Sequence, residues 1–150
     1  MAEILTFKRT DIASFGSCVY PPDGTYSMDR QQIYQLVCIH QGSLSLEVDG
    51  KKHWMGSNTM FMMVPGSRYR FRFSRTRKTR HTWINFNRAD YPEEKRKQLL
   101  SLPVPLPLSP VMNQVINTLI AISREGRTDD APVFILQTAV ALELFMHQSR

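Results

Sequence analysis

The strongest constraint on the fold is a tight hairpin signal in the first half of the chain. Apolar and polar residues alternate from Leu44 to Val48, Asp49-Gly50 follows directly, and Lys51 to Met55 forms a second short run. A period of two is typical of a strand with one buried face. Asp-Gly is favoured in two-residue turns because both central residues need a positive φ. The pattern predicts two antiparallel strands that place Leu46 opposite His53.

Further short strands are predicted on both sides of this hairpin. In Tyr69 to Phe73 the aromatic residues fall on one face and arginines on the other, so the aromatic face is expected to be buried. Pro65-Gly66 marks a turn before this run. The other predicted strands are Ile12 to Tyr20, Tyr34 to His40, Thr59 to Val64 and His81 to Phe86. Many short strands separated by turn signals favour a mainly β sandwich or barrel.

Helical patterns are predicted only in the last third of the chain. The charged stretch Glu93 to Lys97 and the prolines after it are interpreted as a connector. Ser109-Pro110 combines an N-cap hydroxyl with a first-turn proline and predicts a helix that ends near Gly126. A second helix is predicted after Thr128 to Asp130. Its apolar stripe is wider than one barrel face needs, so it packs either wholly within the chain or partly on a partner.

These changes of pattern divide the chain into four segments. The predicted segments are an N-terminal arm with the first strand (1–30), a β-barrel (31–90), a connector (91–108) and a helical region (109–150). A length of 150 residues suits one domain with its own core. Cys18 and Cys38 lack metal or redox spacing and are interpreted as reduced core thiols. With no secretion signal or apolar run long enough to span a membrane, a cytoplasmic protein without membrane contact is expected.

The net charge of +6 comes from one part of the sequence. Seven bases without an intervening acid form what we call the basic ribbon: Arg68, Arg70, Arg72, Arg75, Arg77, Lys78 and Arg80. Three interpretations are open: a solvated sheet edge protected by charge, a site for an anion or acidic partner, or a contact with nucleic acid. No recognition-helix motif accompanies the ribbon.

The sequence contains little that points to catalysis. The four histidines are widely separated and have no metal-ligand spacing, and no nucleophile or phosphate-loop motif occurs. We therefore expect no enzyme activity, no metal and no cofactor. A ligand pocket is better supported, because strict alternation directs Tyr69, Phe71, His81 and Trp83 into the barrel, together with Phe73 and Asn85. The alternative is that these aromatic side chains simply fill the core.

Four runs of the chain resemble the N-terminal domain of AraC-family transcription regulators: Tyr34-Gln-Leu-Val-Cys-Ile-His-Gln-Gly42, Val48-Asp-Gly-Lys51, Val64-Pro-Gly-Ser67 and His81-Thr-Trp-Ile-Asn-Phe86. The resemblance covers residues 30–90 well and the following helices more loosely. It implies a cupin-type jelly-roll β-barrel followed by two C-terminal α-helices. It also implies that the barrel binds a small effector, a sugar or a small aromatic compound, and that the helices form a homodimer. DNA would be bound by a C-terminal helix-turn-helix domain that this chain lacks.

The resemblance also assigns candidate ligand-binding residues. His81 and Trp83 match the histidine and tryptophan that contact sugar in the arabinose-responsive member, while Phe71 and Gln41 replace its tyrosine and arginine. The loss of these polar groups argues against arabinose itself. Tyr69 occupies the place of a histidine in metal-binding cupins, whose His-x-His pair is also missing. The rival interpretations are a stand-alone cupin enzyme, an isomerase or dioxygenase, and an interaction module without a ligand.

Overall fold

The computed structural model describes residues 12–86, 92–124 and 143. Eleven elements follow one another along the chain: β1 (Ile12–Tyr20), β2 (Thr25–Met28), β3 (Tyr34–Gln41), β4 (Leu44–Val48), β5 (Lys51–Met55), β6 (Thr59–Met63), β7 (Tyr69–Phe73), β8 (Thr79–Phe86), α1 (Glu93–Leu100), β9 (Leu106–Pro107) and α2 (Pro110–Arg124).

The strands form two antiparallel sheets. The first has the order β1-β8-β3-β6-β9 and the second the order β2-β7-β4-β5. Strands distant in sequence are neighbours in both sheets, and consecutive strands such as β3 and β4 lie in different sheets. This arrangement is a jelly roll and confirms the predicted mainly β, cupin-type barrel with helices after it.

The hairpin at the centre of the prediction is confirmed in its register. Asp49 and Gly50 both have positive φ, 49° and 86°, as the tight turn requires. Leu46 pairs with His53 across the turn. On the next strand the burial alternates as predicted, with Tyr69, Phe71 and Phe73 buried and Arg70 and Arg72 exposed.

Two apolar clusters divide the molecule into three layers. The cluster between the two sheets includes Val37 and Ile39 of β3 and the aromatic residues of β7. The other lies on the opposite side of the five-stranded sheet, where Leu36 and Cys38 of β3 join residues of α1 and α2 such as Leu99 and Ile116. The middle layer is therefore buried on both faces, which explains the almost continuous apolar sequence of β3.

Helix α2 begins where the sequence predicts. The Ser109 hydroxyl accepts a hydrogen bond from the Met112 backbone N–H at 3.0 Å and caps the first turn. The same hydroxyl donates to the carboxylate of the buried Glu143. Apart from Glu143, the predicted second helix lies outside the described residues.

Three elements were not predicted: β2, α1 and the two-residue β9, whose Leu106 pairs with Met60 of β6. Thr25–Met28, interpreted as part of an arm, forms β2 and pairs with β7. The interpretation of Glu93–Lys97 as a non-helical connector was wrong, because these residues begin α1. In α1, Glu93 and Arg96 form an ion pair at 2.8 Å and Leu99 is buried. Neither helix in the described part of the chain has the length and hydrophobicity of a membrane-spanning segment.

Candidate functional site

A cavity of about 210 Å³ lies between the two sheets. Strands β1, β2, β3, β7 and β8 contribute its walls, which consist of Cys18, Tyr20, Tyr26, Gln35, Val37, Phe71, His81 and Trp83. Four of the eight side chains carry a phenyl, phenol or indole ring, and none carries a formal charge when the histidine is neutral. The surroundings therefore suit an uncharged ligand better than an ion.

His81 supplies the most informative polar group of this cavity. Its side chain is buried, at 8% exposure, and its Nδ1 has no hydrogen-bond partner in the part of the chain that the structure describes. Burial, with a smaller contribution from the charge of His40, lowers the pKa of His81 to about 4. The ring is therefore neutral at pH 7 and offers one donor and one acceptor nitrogen. A ligand group that hydrogen-bonds to Nδ1 would supply the missing partner of this buried polar atom, whose desolvation is otherwise uncompensated.

Aromatic rings build the walls next to His81. Tyr20 stacks on Phe73 with ring centroids 4.0 Å apart and 9° between the planes. The Tyr20 and Trp83 centroids lie 5.5 and 5.9 Å from that of His81. On the neighbouring side Tyr26 tilts against Phe71 at 5.2 Å. Planar ligands and the apolar faces of sugar rings both pack well against such walls.

The position of Trp83 depends on a glycine in the adjacent strand. Gly16 of β1 is the register partner of Trp83 of β8. A Cβ added to Gly16 would lie 2.5 Å from Trp83 Cζ2, far inside van der Waals contact. Because Gly16 has no side chain, the indole lies directly against the backbone of β1 and forms one wall of the cavity.

Two further polar groups lie in the wall of the cavity. Gln35 Nε2 donates a hydrogen bond to Asn85 Oδ1 at 2.8 Å across the β3–β8 pair. The free thiol of Cys18 belongs to the register partner of His81. Among the residues described, no three histidine, cysteine or acidic side chains come together as metal ligands.

The structure brings together three of the five residues assigned as ligand-binding. Phe71, His81 and Trp83 all line the cavity. Tyr69 does not, because its hydroxyl points into the core and accepts a hydrogen bond from the Val64 backbone N–H at 2.8 Å. Desolvation by burial raises the pKa of that phenol to about 12. Gln41 is exposed at the end of β3 and is likewise not part of the cavity wall.

Five wall residues were not identified from the sequence. Cys18 and Tyr20 share one face of β1, and Gln35 and Val37 share one face of β3, so alternation alone placed each pair together. The sequence does not show which face of each strand lines the cavity, because that depends on the pairing of β1 and β3 with β8. Tyr26 belongs to β2, which was not predicted.

The opposite face of β8 contacts helix α2 through a polar network. His40 Nδ1 donates to Asn113 Oδ1, and His40 Nε2 lies 2.8 Å from the Thr82 hydroxyl. Arg80 Nη1 donates to Asn117 Oδ1 at 2.7 Å. Burial lowers the pKa of His40, so its ring is neutral and bridges the sheet and the helix as donor and acceptor. Consecutive residues of β8 thus face the cavity and the helix in turn.

Comparison with known proteins gives one family and a set of similar folds. The model of the AraC-like ligand binding domain matches residues 12–138. No curated protein sequence matches significantly. The cupin domain of Cnp3 from Schizosaccharomyces pombe is 18% identical, with a TM-score of 0.50 over 63% of this chain and 68% of that one. A Cupin 2 conserved barrel domain protein from Salinispora arenicola is 18% identical over 50% of this chain and 63% of its own, with a TM-score of 0.45. At such identity the Cnp3 likeness concerns the fold.

Proposed function

The chain belongs to the family of AraC-like ligand binding domains, and from this premise we propose that its cavity senses a small, uncharged organic effector. One observation carries the proposal: the buried Nδ1 of His81, which has no partner among the described residues, lies in a cavity walled by aromatic rings. A side chain that only filled the core would be expected to have its polar atoms satisfied.

The chemistry of the walls restricts the effector. The bases of the ribbon on β7 point away from the cavity, so a carboxylate or phosphate would lose its water without gaining a counter-charge. The neutral His81 can bond a hydroxyl, carbonyl or ring N–H, and Tyr20 and Trp83 offer flat apolar surface. We propose a planar heteroaromatic or phenolic compound, or a sugar, small enough for about 210 Å³.

We propose that strand β8 transmits the bound state to helix α2. Its residue His81 faces the cavity, whereas its neighbour Thr82 bonds to His40, which in turn contacts Asn113 of the helix. Effector binding would favour one arrangement of the helix only if the two arrangements bind the effector differently. Coupling of roughly 1 to 3 kcal/mol is typical of such switches.

In a complete regulator of this type, this domain would sense and dimerise while a separate helix-turn-helix domain read DNA. The proposal assigns it no catalytic role and places it in the cytoplasm. Dimerisation through the C-terminal helices would relate the two sensing barrels, and the two DNA-binding domains, by one two-fold axis. On this view the isolated chain does not recognise a DNA sequence.

A thermal-shift screen against sugars, phenolic and heteroaromatic compounds, aromatic acids and divalent metals tests the proposal. A ligand that binds only the folded state raises apparent stability by RT ln(1 + [L]/Kd). We expect an uncharged organic compound to raise the melting temperature. A shift with metals alone would support a cupin enzyme instead, and no shift in any class would support an interaction module.

Matched variants then locate the binding site. His81→Ala and Trp83→Ala should each weaken effector binding at least tenfold in calorimetric titration, because each removes a direct contact. His53→Ala and Trp54→Ala change the same residue types outside the cavity and should leave the affinity unchanged. Unchanged affinity in both cavity variants, with folding retained, would show that the effector binds elsewhere.

A further inference from the structure

The outer face of the four-stranded sheet has features that ligand sensing does not use. A broad, shallow groove of about 620 Å³ runs across β4, β5 and β7. Its exposed side chains include Ser45, Lys52, Trp54, Arg70, Arg72 and Arg75, and Glu47 lies half-buried among them. We propose that this groove binds single-stranded nucleic acid without sequence specificity, through phosphate contacts and one stacked base.

The strand register arranges these side chains in two rows across the sheet. Trp54, Ser45 and Arg72 are successive partners in one row. Lys52, Glu47 and Arg70 form the next row. Arg70 and Arg72 are two residues apart on one strand, which separates their Cα atoms by about 6.6 Å. This repeat allows adjacent guanidinium groups to contact successive phosphates of an extended strand.

Trp54 is held as a stacking platform. It is 67% exposed, the second most exposed of the large apolar side chains in the described chain. A Cβ at Gly56 would lie 2.8 Å from Trp54 Cη2, so one edge of the indole rests against the glycine backbone. The ring is therefore supported from below while much of its surface stays accessible. An aromatic ring beside a basic groove is the combination that proteins use to bind single strands.

The acids near the groove reduce its charge only in part. Glu47 lies within it, and Asp23 Oδ1 is 3.6 Å from Arg72 Nη2 at a site where both side chains are more than half exposed. Exposed pairs of this kind contribute little and exchange readily for a phosphate. Lys52, Arg70, Arg72 and Arg75 still outnumber Glu47 along the groove.

The composition of the face favours nucleic acid over an acidic protein. A stable protein interface needs an apolar centre, and here Trp54 is the one large apolar side chain exposed among the groove residues. Nucleic-acid interfaces are more polar and much more basic. Trp54 can stack on an unpaired base but not on one inside a duplex, so a single strand is the preferred occupant.

Fluorescence anisotropy with this chain and a labelled twelve-nucleotide oligothymidylate tests the proposal. We expect saturable binding at low salt. A plot of log Kd against the logarithm of the salt concentration should have a slope of about 2, as for three phosphate contacts on a single strand. Trp54→Ala should weaken binding roughly tenfold, and Trp54→Phe should largely restore it. A duplex of equal length should bind more weakly and respond less to Trp54→Ala.

A charge-matched control separates this surface from general basicity. Arg70→Glu with Arg72→Glu should abolish binding, whereas Lys97→Glu with Arg124→Glu makes the same change of net charge on exposed helix positions and should have a small effect. All four substitutions are on exposed side chains, so the fold is expected to survive. The proposal is overturned if the oligonucleotide does not bind, if both double variants lose binding equally, or if polyglutamate binds as tightly.

Discussion

The cavity wall formed by Trp83 depends on a residue that the ligand would not touch. Gly16 lies under the indole, and the added Cβ of an alanine would meet three atoms of the ring within 3.0 Å. The indole cannot keep its position against any larger side chain there. Gly16 thus shapes the cavity through its lack of a side chain, although it is not itself part of the cavity wall.

We predict that Gly16→Ala displaces the indole of Trp83. The variant should lose about 1 to 3 kcal/mol of unfolding free energy from overpacking. In a Trp54→Phe background, where Trp83 is the one tryptophan left, its emission maximum should shift. Ser17→Ala, the neighbouring change in the same strand, serves as the control. An unaltered Trp83 emission spectrum and an unaltered urea midpoint would show that the added methyl group fits beside the indole without displacing it.

At the scale of elements, β8 has two different neighbours on its two faces. Thr82 and Ile84 point toward the helices, where Thr82 meets His40 and Ile84 joins the apolar cluster. His81 and Trp83 point into the cavity. The hydrogen bonds of His40 tie this strand to α2, so the helix is attached by directional contacts as well as by apolar packing.

We predict that Thr82→Val weakens the attachment of α2. The substitution keeps the shape of the side chain but removes the hydroxyl, leaving His40 Nε2 buried without its partner. The expected loss is about 1 to 3 kcal/mol in urea unfolding. Thr118→Val, on the exposed side of α2, should change stability by less than about 0.5 kcal/mol. Equal effects of the two changes would show that the network adds nothing to stability.

At the scale of the whole molecule, two buried neutral histidines make stability depend on pH. The pKa of His81 is lowered to about 4 and that of His40 is lowered in the same direction, both chiefly by burial. In the unfolded chain both would titrate near 6.5. Between these values the unfolded chain binds more protons than the folded one, so acidification favours unfolding.

We predict that the free energy of unfolding falls as the pH is lowered from about 6.5 toward 4. In His81→Phe the fall should be shallower by roughly 1 to 3 kcal/mol over this range, because one of the two histidines no longer titrates. Urea titrations at pH 7, 6 and 5 measure the slope. If the free energy of unfolding falls equally with pH in the unsubstituted protein and in His81→Phe, His81 is not the group that causes the fall. His53→Phe controls for the loss of any histidine.

Much of the barrel could be predicted because its strands carry their own signals. The alternation of β7 and the Asp49-Gly50 turn depend on neighbours along the chain, and both were confirmed. By contrast, β2 has four residues and is a strand because β7 offers it a partner. Helix α1 has no apolar stripe, and only Leu99 is buried in it. Both depend on contacts made in three dimensions.

The candidate site was predictable only in part for the same reason. Alternation assigned His81 and Trp83 to the barrel interior, and both line the cavity. Tyr69 obeys the same alternation, yet its hydroxyl reaches the Val64 backbone and it belongs to the filled part of the core. Position along the barrel axis separates Tyr69 from Phe71, and a period of two carries no information about that axis.

The division of β8 by parity has a consequence for how such a sensor can change. Odd-numbered positions such as His81 and Trp83 line the cavity, and even-numbered positions such as Thr82 and Ile84 face the helices. A library that randomises only the odd positions would alter effector choice while leaving the output linkage intact. If β8 carries the response as proposed, selectivity would change by point mutation without loss of that response, whereas a single-residue deletion in this strand would exchange the two faces and disrupt both.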